Sequence, residues 1–328
     1  MSFQTIQRIE NPETYIDISF KSAEEAGAAK RKEFVGKKVN KLIRSRVIEI
    51  TKIKSLTKTA AKLLDGILKA FPSFDRLDPF YNALVKCTLD YDVLKKSLGA
   101  INWATQTLLR LEDDAERKIR ATRQVEDVNK HRQAFYGRTA SVFKQIKKNL
   151  AQLEEARKIM KKYPAIKTSI PTVVIAGAPN VGKSSLLAAL TGSAPKVAPY
   201  PFTTQQLMLG YMENDDAKIQ IIDTPGLLDR PLEKRNPIER QAILALKHLA
   251  KAIIFVLDPT EACGYSFQEQ LHLLAEIKKT FSIPVIVVAN KTDLPYDKKF
   301  LPETILISAE KKAGIEELKE KMIKIISA

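Results

Sequence analysis

The strongest constraint on this chain is a succession of three pieces. A β-branched run, TVVIA (172–176), leads into GAPNVGKS (177–184), and that leads into the helix-forming SSLLAAL (184–190). A buried strand that ends in a glycine-rich loop and continues as a helix is the opening unit of a parallel sheet, because parallel strands need a crossover to pair. Further short apolar runs follow at 219–223 (IQIID), 252–258 (AIIFVLD), 285–290 (VIVVAN) and 304–309 (TILISA). Helical patterns occupy about 238–249, 267–280 and 314–326 between and after the later runs. Strands alternating with helices predict a doubly wound, parallel α/β sheet over residues 169–328.

The loop itself fits G-x-x-x-x-G-K-[ST] in the strand–loop–helix setting that this pattern requires. Gly177 and Gly182 permit a tight backbone whose N–H groups point at phosphate oxygens. Lys183 can span the β- and γ-phosphates, Ser184 can offer an oxygen to Mg²⁺, and the helix opening at Lys183 adds its positive end.

Residues 1–165 read differently. Apart from an N-terminal arm over 1–20, they hold almost no strand-like runs, and Pro12, Pro72, Pro79 and Pro164 separate long helical stretches. The clearest helix runs over about 139–162, where Val142, Ile146, Leu150, Leu153 and Met160 recur at three-and-four spacing. Similar stripes at 42–56, 60–71 and 91–111 predict an antiparallel helical bundle. The stretch 163–170 is the expected boundary between the two domains.

Charge separates the halves as well. The net charge is +16. Residues 1–168 hold 35 Lys+Arg against 20 Asp+Glu, whereas residues 169–328 hold 19 against 18. A basic half beside a neutral one suggests that one domain meets a polyanion. Thermophilic Lys enrichment is the bland alternative, but it should act on both halves alike. No apolar run approaches 18 residues, and MSFQTIQRIENPETY lacks a signal-peptide pattern, so a transmembrane helix or secretion is not expected. Cys87 and Cys263 are too few and too far apart for a disulfide framework or a zinc site, which suits a cytoplasmic chain.

Three more motifs follow the phosphate loop. In DTPG (223–226), Asp223 at a strand end can hold Mg²⁺ through water, and the Gly226 N–H can meet a γ-phosphate. An ordinary turn has the same composition. In NKTD (290–293), the Asp293 carboxylate can accept both N1–H and the exocyclic amino group of guanine, a pair adenine does not offer. Asn290 can tie neighbouring loops together. Ser308-Ala309 can present the Ala309 N–H to guanine O6. Each motif is weak alone. All four occur in order at the C-terminal ends of strands, the edge where doubly wound sheets bind ligands, and together they specify a guanine nucleotide.

The set resembles the guanine-nucleotide domain of the translation-factor-related P-loop GTPases. The YPFTT run (200–204), the GxPNxGKS loop and DTPGL together are similar to the Obg group. The run LDPTEACGYSFQEQ (257–270) and a basic helical domain ahead of the G domain resemble the Nog branch, in its shorter archaeal form without the long C-terminal extension. The resemblance covers nearly the whole chain. It implies a Ras-like doubly wound GTPase domain (169–328) preceded by an all-α helical-bundle domain (1–165), with GTP or GDP and Mg²⁺ as ligands. It places Pro179, Asn180, Val181, Gly182, Lys183, Ser184 and Ser185 around the phosphates, and Asn290, Lys291, Asp293, Ser308 and Ala309 around the base. Ser184, Asp223 and a switch-loop threonine, Thr204 before Thr203, would serve the metal. Lys183, Thr204 and Gly226 would serve the reaction.

Ras-like enzymes orient the attacking water with a glutamine where this chain has Leu227, so slow intrinsic hydrolysis is expected. In related GTPases an asparagine at the position of Asn180 helps to hold K⁺ beside the phosphates. Asn180 is therefore either a K⁺ ligand or simply a loop stabiliser.

Residues 30–62 carry 12 Lys+Arg against Glu33 and Glu49, and Lys30, Arg31, Lys32, Lys37, Lys38, Lys41, Arg44 and Arg46 form a cluster suited to RNA phosphates. Arg117, Lys118, Arg120 and Arg123 follow four acids and read as a salt-bridged helix. Three roles remain open: a GTPase acting on ribosomal RNA in large-subunit assembly, which the Nog resemblance implies; a nucleotide-controlled RNA-binding module with incidental hydrolysis; and a membrane-acting GTPase. The last needs an exposed aromatic face beside the basic one, which Trp103 alone does not supply, so no membrane partner is expected. A monomer is expected.

Overall fold

The computed structural model describes residues 3–192, 195–201, 206–213, 218–230, 233, 235 and 237–327. Thr203 and Thr204 lie outside the described residues. In chain order the elements are α1 (Pro12–Lys32), α2 (Lys41–Ala70), α3 (Pro79–Thr88), α4 (Tyr91–Ala121), α5 (Val125–Gln145) and α6 (Lys147–Met160). Then come β1 (Thr172–Ala176), α7 (Lys183–Thr191), β2 (Lys196–Pro199), β3 (Gln206–Glu213), β4 (Lys218–Asp223), α8 (Pro237–Ala245) and a 3-10 turn (Leu246–His248). The chain continues through β5 (Ala250–Leu257), α9 (Phe267–Thr280), β6 (Val285–Ala289), β7 (Ile305–Leu306) and α10 (Ile315–Ser327). No helix among the described residues is long and apolar enough to cross a membrane.

The chain divides into two compact units, and the division is not the 1–165 and 169–328 split expected from sequence. Residues 74–88 and 162–168 belong with the sheet, while 4–73 and 89–161 form the bundle. The physical reason is α3. It buries Phe80, Tyr81, Leu84 and Val85 and packs on α8 and the 3-10 turn after it. The Tyr81 hydroxyl donates to the Pro164 carbonyl (2.8 Å) and accepts the Ile166 N–H (3.0 Å), which ties α3 to the segment entering β1. Phe3 closes this corner edge-on against Tyr81 and Tyr163, with ring centroids 5.2 and 5.4 Å away. The chain thus leaves the bundle after α2, contributes α3 to the sheet unit, and returns as α4.

In the sheet unit the strand order is β2-β3-β4-β1-β5-β6-β7. The strands from β4 through β7 are parallel, as predicted, but β2 and β3 are antiparallel additions at one edge, so the sheet is mixed. Alternate residues Val173, Ile175, Ile219, Ile221, Ile254, Val256 and Val288 pack into one core with Leu186, Leu187 and Leu190 of α7 and with Leu318 and Met322 of α10. The intervening Val174, Ile222, Ile253, Phe255 and Val287 are buried as well, so both faces are covered and the central strands read as continuous apolar runs. β3 escapes that pattern because Gln206, Met208, Tyr211 and Glu213 alternate with buried residues along it.

In the bundle unit α1 and α2 form a hairpin through residues 33–40, and α2 packs in turn on α4 and α5. α2 is one helix across the two stripes expected at 42–56 and 60–71. The helix expected at 139–162 is divided at Ile146, where α5 ends and α6 begins. α1 starts inside the expected arm, with the Asn11 side chain accepting the Thr14 N–H at 2.9 Å and Pro12 in its first turn. Ala23, Ile53, Leu56, Ala115, Ile119, Val128 and Phe135 make the core. Among them runs a polar cluster in which Lys52 Nζ lies 3.1 Å from Glu24 and 3.8 Å from Glu49, and Arg132 lies 3.6 Å from Glu49. Gly27 lets the Lys52 stem pass, since a Cβ there would stand 2.4 Å from Lys52 Cε. Burial first, and then the Glu49 charge, push the Tyr136 hydroxyl up to about 12.

Candidate nucleotide-binding site

β1 delivers the chain to Gly177 (φ +143°), and a Cβ there would lie 2.5 Å from the Val256 carbonyl. Asn180 (φ 61°) and Gly182 (φ +97°) hold the left-handed turns that wrap the loop. At Gly182 a Cβ would stand 2.3 Å from Asn290 Nδ2, so only glycine fits. Lys183 is almost fully buried, and its ammonium donates to the Gly177 and Ala178 carbonyls at 3.0 and 2.8 Å. Burial lowers its pKa, opposed by the Asp223 and Asp229 charges. These bonds fold the lysine back over its own loop. Pro179 is half-buried, Val181 is buried, and Ser184 and Ser185 are exposed at the opening turn of α7. The Asn180 side chain is exposed and has no partner among the described residues.

The Ser184 hydroxyl donates to Asp223 Oδ2 at 2.7 Å, which brings together the two expected Mg²⁺ residues that the structure describes. Asp223 is fully buried, its Oδ1 has no hydrogen-bond partner among the described residues, and burial raises its pKa despite the Ser184 bond. A buried carboxylate with an unused oxygen is a costly arrangement that a divalent cation relieves, so the donor set fits Mg²⁺. Thr224 bonds back to the Ile175 carbonyl (3.0 Å), and Gly226 takes φ +70°, so the DTPG turn is anchored on β1. Leu227 is buried, which removes its side chain from any contact with water.

On the same sheet edge Asn290 is buried and fully engaged. Its Nδ2 donates to the Val181 carbonyl and its Oδ1 accepts the Ala309 N–H, each at 2.9 Å. One side chain therefore locks the phosphate loop to the Ser308-Ala309 loop. The Ala309 N–H, expected at guanine O6, bonds Asn290 in this arrangement. The Ser308 hydroxyl first, with help from Lys311, holds the Asp293 carboxyl below its usual range and therefore charged, as recognition of two guanine donors requires. Lys291 (φ 62°) places its ammonium 2.6 Å from Asp258. Burial opposes ionisation of Asp258, but its bonds from Lys291 and Thr260 prevail and lower its pKa.

Sequence reasoning missed Asp258, Asp229 and Arg235. Asp258 ends β5 and is fully buried, and it accepts the Cys263 N–H (2.9 Å) as well as Lys291. An aspartate closing an apolar strand at the ligand edge was a readable signal for it. Nothing comparable marks Arg235, which stands in a polar run.

In the bundle unit, the cluster at 30–46 surrounds the α1–α2 turn. Arg31, Lys32, Lys37, Lys38, Lys41 and Arg44 are exposed there, with Val35 75% exposed at the tip. Lys30 pairs with Glu33 at 2.8 Å, and Arg46 leaves the patch because its guanidinium bonds the Thr122 carbonyl. Arg117 and Lys118 pair with Asp114, and Arg120 with Glu116, as the spacing predicted.

A glycine-rich loop, a paired serine and aspartate, and an asparagine–lysine–aspartate base site on one sheet edge define a GTP-binding domain of the P-loop class. A model of the NOG1 N-terminal helical domain matches residues 3–167, and a model of nucleolar GTP-binding protein 1 matches residues 237–293. An uncharacterized protein of Methanocaldococcus jannaschii is 43% identical over 253 residues, covering 77% of this chain and 71% of that protein. Nucleolar GTP-binding protein 1 of Arabidopsis thaliana is 34% identical over 325 residues, covering 98% of this chain and 46% of the plant protein. The chain thus spans just under half the length of that curated relative. Among solved structures, a nucleolar GTP-binding protein 1 from Plasmodium falciparum aligns with TM-score 0.46 at 30% identity, over 50% of this chain and 90% of that one. The chain belongs to the NOG1 family of GTP-binding proteins.

Proposed function

We propose that this chain hydrolyses GTP to GDP and phosphate, and acts as a nucleotide-switched factor on ribosomal RNA during large-subunit assembly. The observation that carries the reading is the exposed cationic turn at 31–44, joined in one chain to a sheet edge that carries the guanine-nucleotide motifs. Six exposed cations with few acids nearby suit phosphate contacts that position a protein without reading sequence. The relatives' name places those proteins in the nucleolus, which supports ribosomal RNA as the partner.

A bound Mg²⁺ would supply charge neutralisation at the phosphates. The chain's own residues do the rest. Ser184 and Asp223 hold the metal side, Lys183 leaves its loop carbonyls for the phosphates, and the Gly226 N–H faces the γ-phosphate. By the family resemblance, Thr204 before Thr203 would add a hydroxyl to the metal shell. Asp293 selects guanine. Leu227 cannot orient water, so the intrinsic rate is slow, and Asn180 either holds a stimulating K⁺ ion or stabilises the loop. Because α3 packs on α8, downstream of DTPG, and continues at both ends into bundle helices, the phosphate state has a covalent route to the basic unit.

The test is sedimentation with purified large and small ribosomal subunits, in a non-hydrolysable GTP analogue and in GDP. Selective large-subunit binding that changes with nucleotide, alongside measurable hydrolysis, supports the reading. Equal binding to any polyanion refutes it. The buried Leu227 favours a second reading, an RNA-binding module with incidental hydrolysis. That reading predicts release from RNA at the same rate with GTP and with its non-hydrolysable analogue.

A further inference from the structure

The DTPG segment has no side chain at 227 to work with, but its backbone is held in an unusual way. Arg235 Nη2 donates to the Leu227 carbonyl at 2.9 Å and to Asp229 Oδ1 at 2.8 Å. The Arg235 side chain is 3% exposed and Asp229 is 14% exposed, so the pair is desolvated. Arg235 Nε is also buried and has no partner among the described residues. From the opposite side, the Gly177 N–H of the phosphate loop donates to the Leu228 carbonyl at 3.2 Å. Residues 227–229 are thus gripped between the first glycine of the phosphate loop and one buried guanidinium.

Burying an ion pair costs several kcal/mol per ion in general and brings little stability over an apolar contact. Simply closing an eight-residue loop does not call for one. A planar guanidinium that bonds a carbonyl and a carboxylate from the same nitrogen, with Nε still free, is suited instead to fixing backbone direction. The carbonyl it fixes belongs to the residue immediately after Gly226, whose N–H is the group aimed at the γ-phosphate. The Asp229 charge also reaches Lys183, so the clamp and the phosphate lysine share an electrostatic neighbour.

We infer that Arg235 is a positioning residue for the γ-phosphate: through the Leu227 carbonyl and Asp229 it holds the DTPG turn so that the Gly226 N–H meets the third phosphate. The inference rests on the hydrolysis reading only for its rate readout, because γ-phosphate recognition is measurable without turnover.

The experiment compares Arg235→Ala, Arg235→Lys and Asp229→Asn with the parent full-length chain. Affinities for GDP and for a non-hydrolysable GTP analogue are measured in Mg²⁺, together with single-turnover hydrolysis. For Arg235→Ala the analogue affinity is expected to fall about tenfold, the scale of one charge-assisted hydrogen bond, with GDP affinity within about twofold. Arg235→Lys should recover part of the loss, and adding Asp229→Asn to Arg235→Ala should change little more. Hydrolysis should fall with analogue affinity. An unchanged analogue-to-GDP ratio overturns the assignment, and so does a parallel loss of both affinities, which would mark a merely structural arginine. If Arg235→Ala does not fold, the ratio in Arg235→Lys and Asp229→Asn decides in the same way. If the parent chain binds the analogue but does not hydrolyse GTP, the hydrolysis reading falls, while the affinity ratio still judges Arg235.

Discussion

The two units spend buried polarity in opposite ways. At the nucleotide edge of the sheet, Asn290 satisfies both ends of its amide against two other loops, and each bond holds a motif in place. Inside the bundle, Lys52, Glu49 and Arg132 share long contacts of 3.6–3.8 Å, and Glu49 Oε2, Arg132 Nε and the Tyr136 hydroxyl have no hydrogen-bond partner among the described residues. In the sheet unit the Asn290 bonds join the loops of the ligand edge, and the unpartnered Asp223 oxygen there faces a metal's place. In the bundle the polar cluster lies between helices, while the outward cations face solvent. One unit should therefore fail through weakened binding and the other through reduced stability.

Gly182→Ala tests the separation most severely. It puts a Cβ 2.3 Å from Asn290 Nδ2 at φ +97°. Strain and disrupted amide bonding together should cost about 3 kcal/mol or more of nucleotide affinity, roughly a hundredfold by titration with labelled GDP. The melting of the bundle should be unmoved. Gly27→Ala is the converse. Its Cβ meets the Lys52 stem at 2.4 Å, and overpacking should destabilise the bundle by about 1–3 kcal/mol in urea titration. GDP affinity should stay within about twofold. A nucleotide defect in that variant would break the comparison.

Charge reversal at Lys37, Lys38 and Lys41 sharpens it from the surface. All three are exposed. For every RNA phosphate that a reversed side chain no longer neutralises, the plot of log affinity for ribosomal RNA against log salt should flatten by about 0.7–0.9. Nucleotide binding and melting should not change, so an unaltered salt slope would move the RNA surface elsewhere.

The smallest effect is a pH dependence confined to the bundle. Glu154 accepts the Arg157 guanidinium at 2.7 Å and the Ile9 N–H at 3.0 Å, and the arginine interaction is the larger reason its pKa is lowered. A carboxyl with a depressed folded-state pKa contributes stability above the unfolded value near 4.5 and loses it as pH falls through the lower folded value. Acid titration should therefore loosen the N-terminal segment below about pH 4.5, by under about 1 kcal/mol since the pair is partly solvated. Glu154→Gln should flatten that dependence as followed by amide exchange at Ile9.

Legibility in the sequence followed the same divide. The central strands and the phosphate loop were readable because strands buried on both faces become continuous apolar runs and the loop needs its glycines. β2 and β3 were not, since edge strands alternate with polar residues and borrow hydrogen bonds that no local pattern shows. α3 was hidden for another reason: helical periodicity records that Phe80, Tyr81 and Leu84 are buried, but not against which unit. Of the site, Ser184, Asp223 and Asn290 were legible from motif order, whereas Arg235 matters through a backbone carbonyl eight residues away.

The central claim is that the phosphate state at the sheet edge governs how the basic unit holds RNA. Linkage makes it testable from either end, because RNA must change nucleotide affinity by the factor that nucleotide changes RNA affinity. The most direct measurement is the affinity of the full chain for a GTP analogue and for GDP, each with and without large-subunit RNA at fixed salt. The account predicts that RNA shifts the analogue-to-GDP ratio by at least about fivefold, the low end of ordinary coupling. An identical ratio with and without RNA would contradict it, leaving two units that share a chain but not a switch.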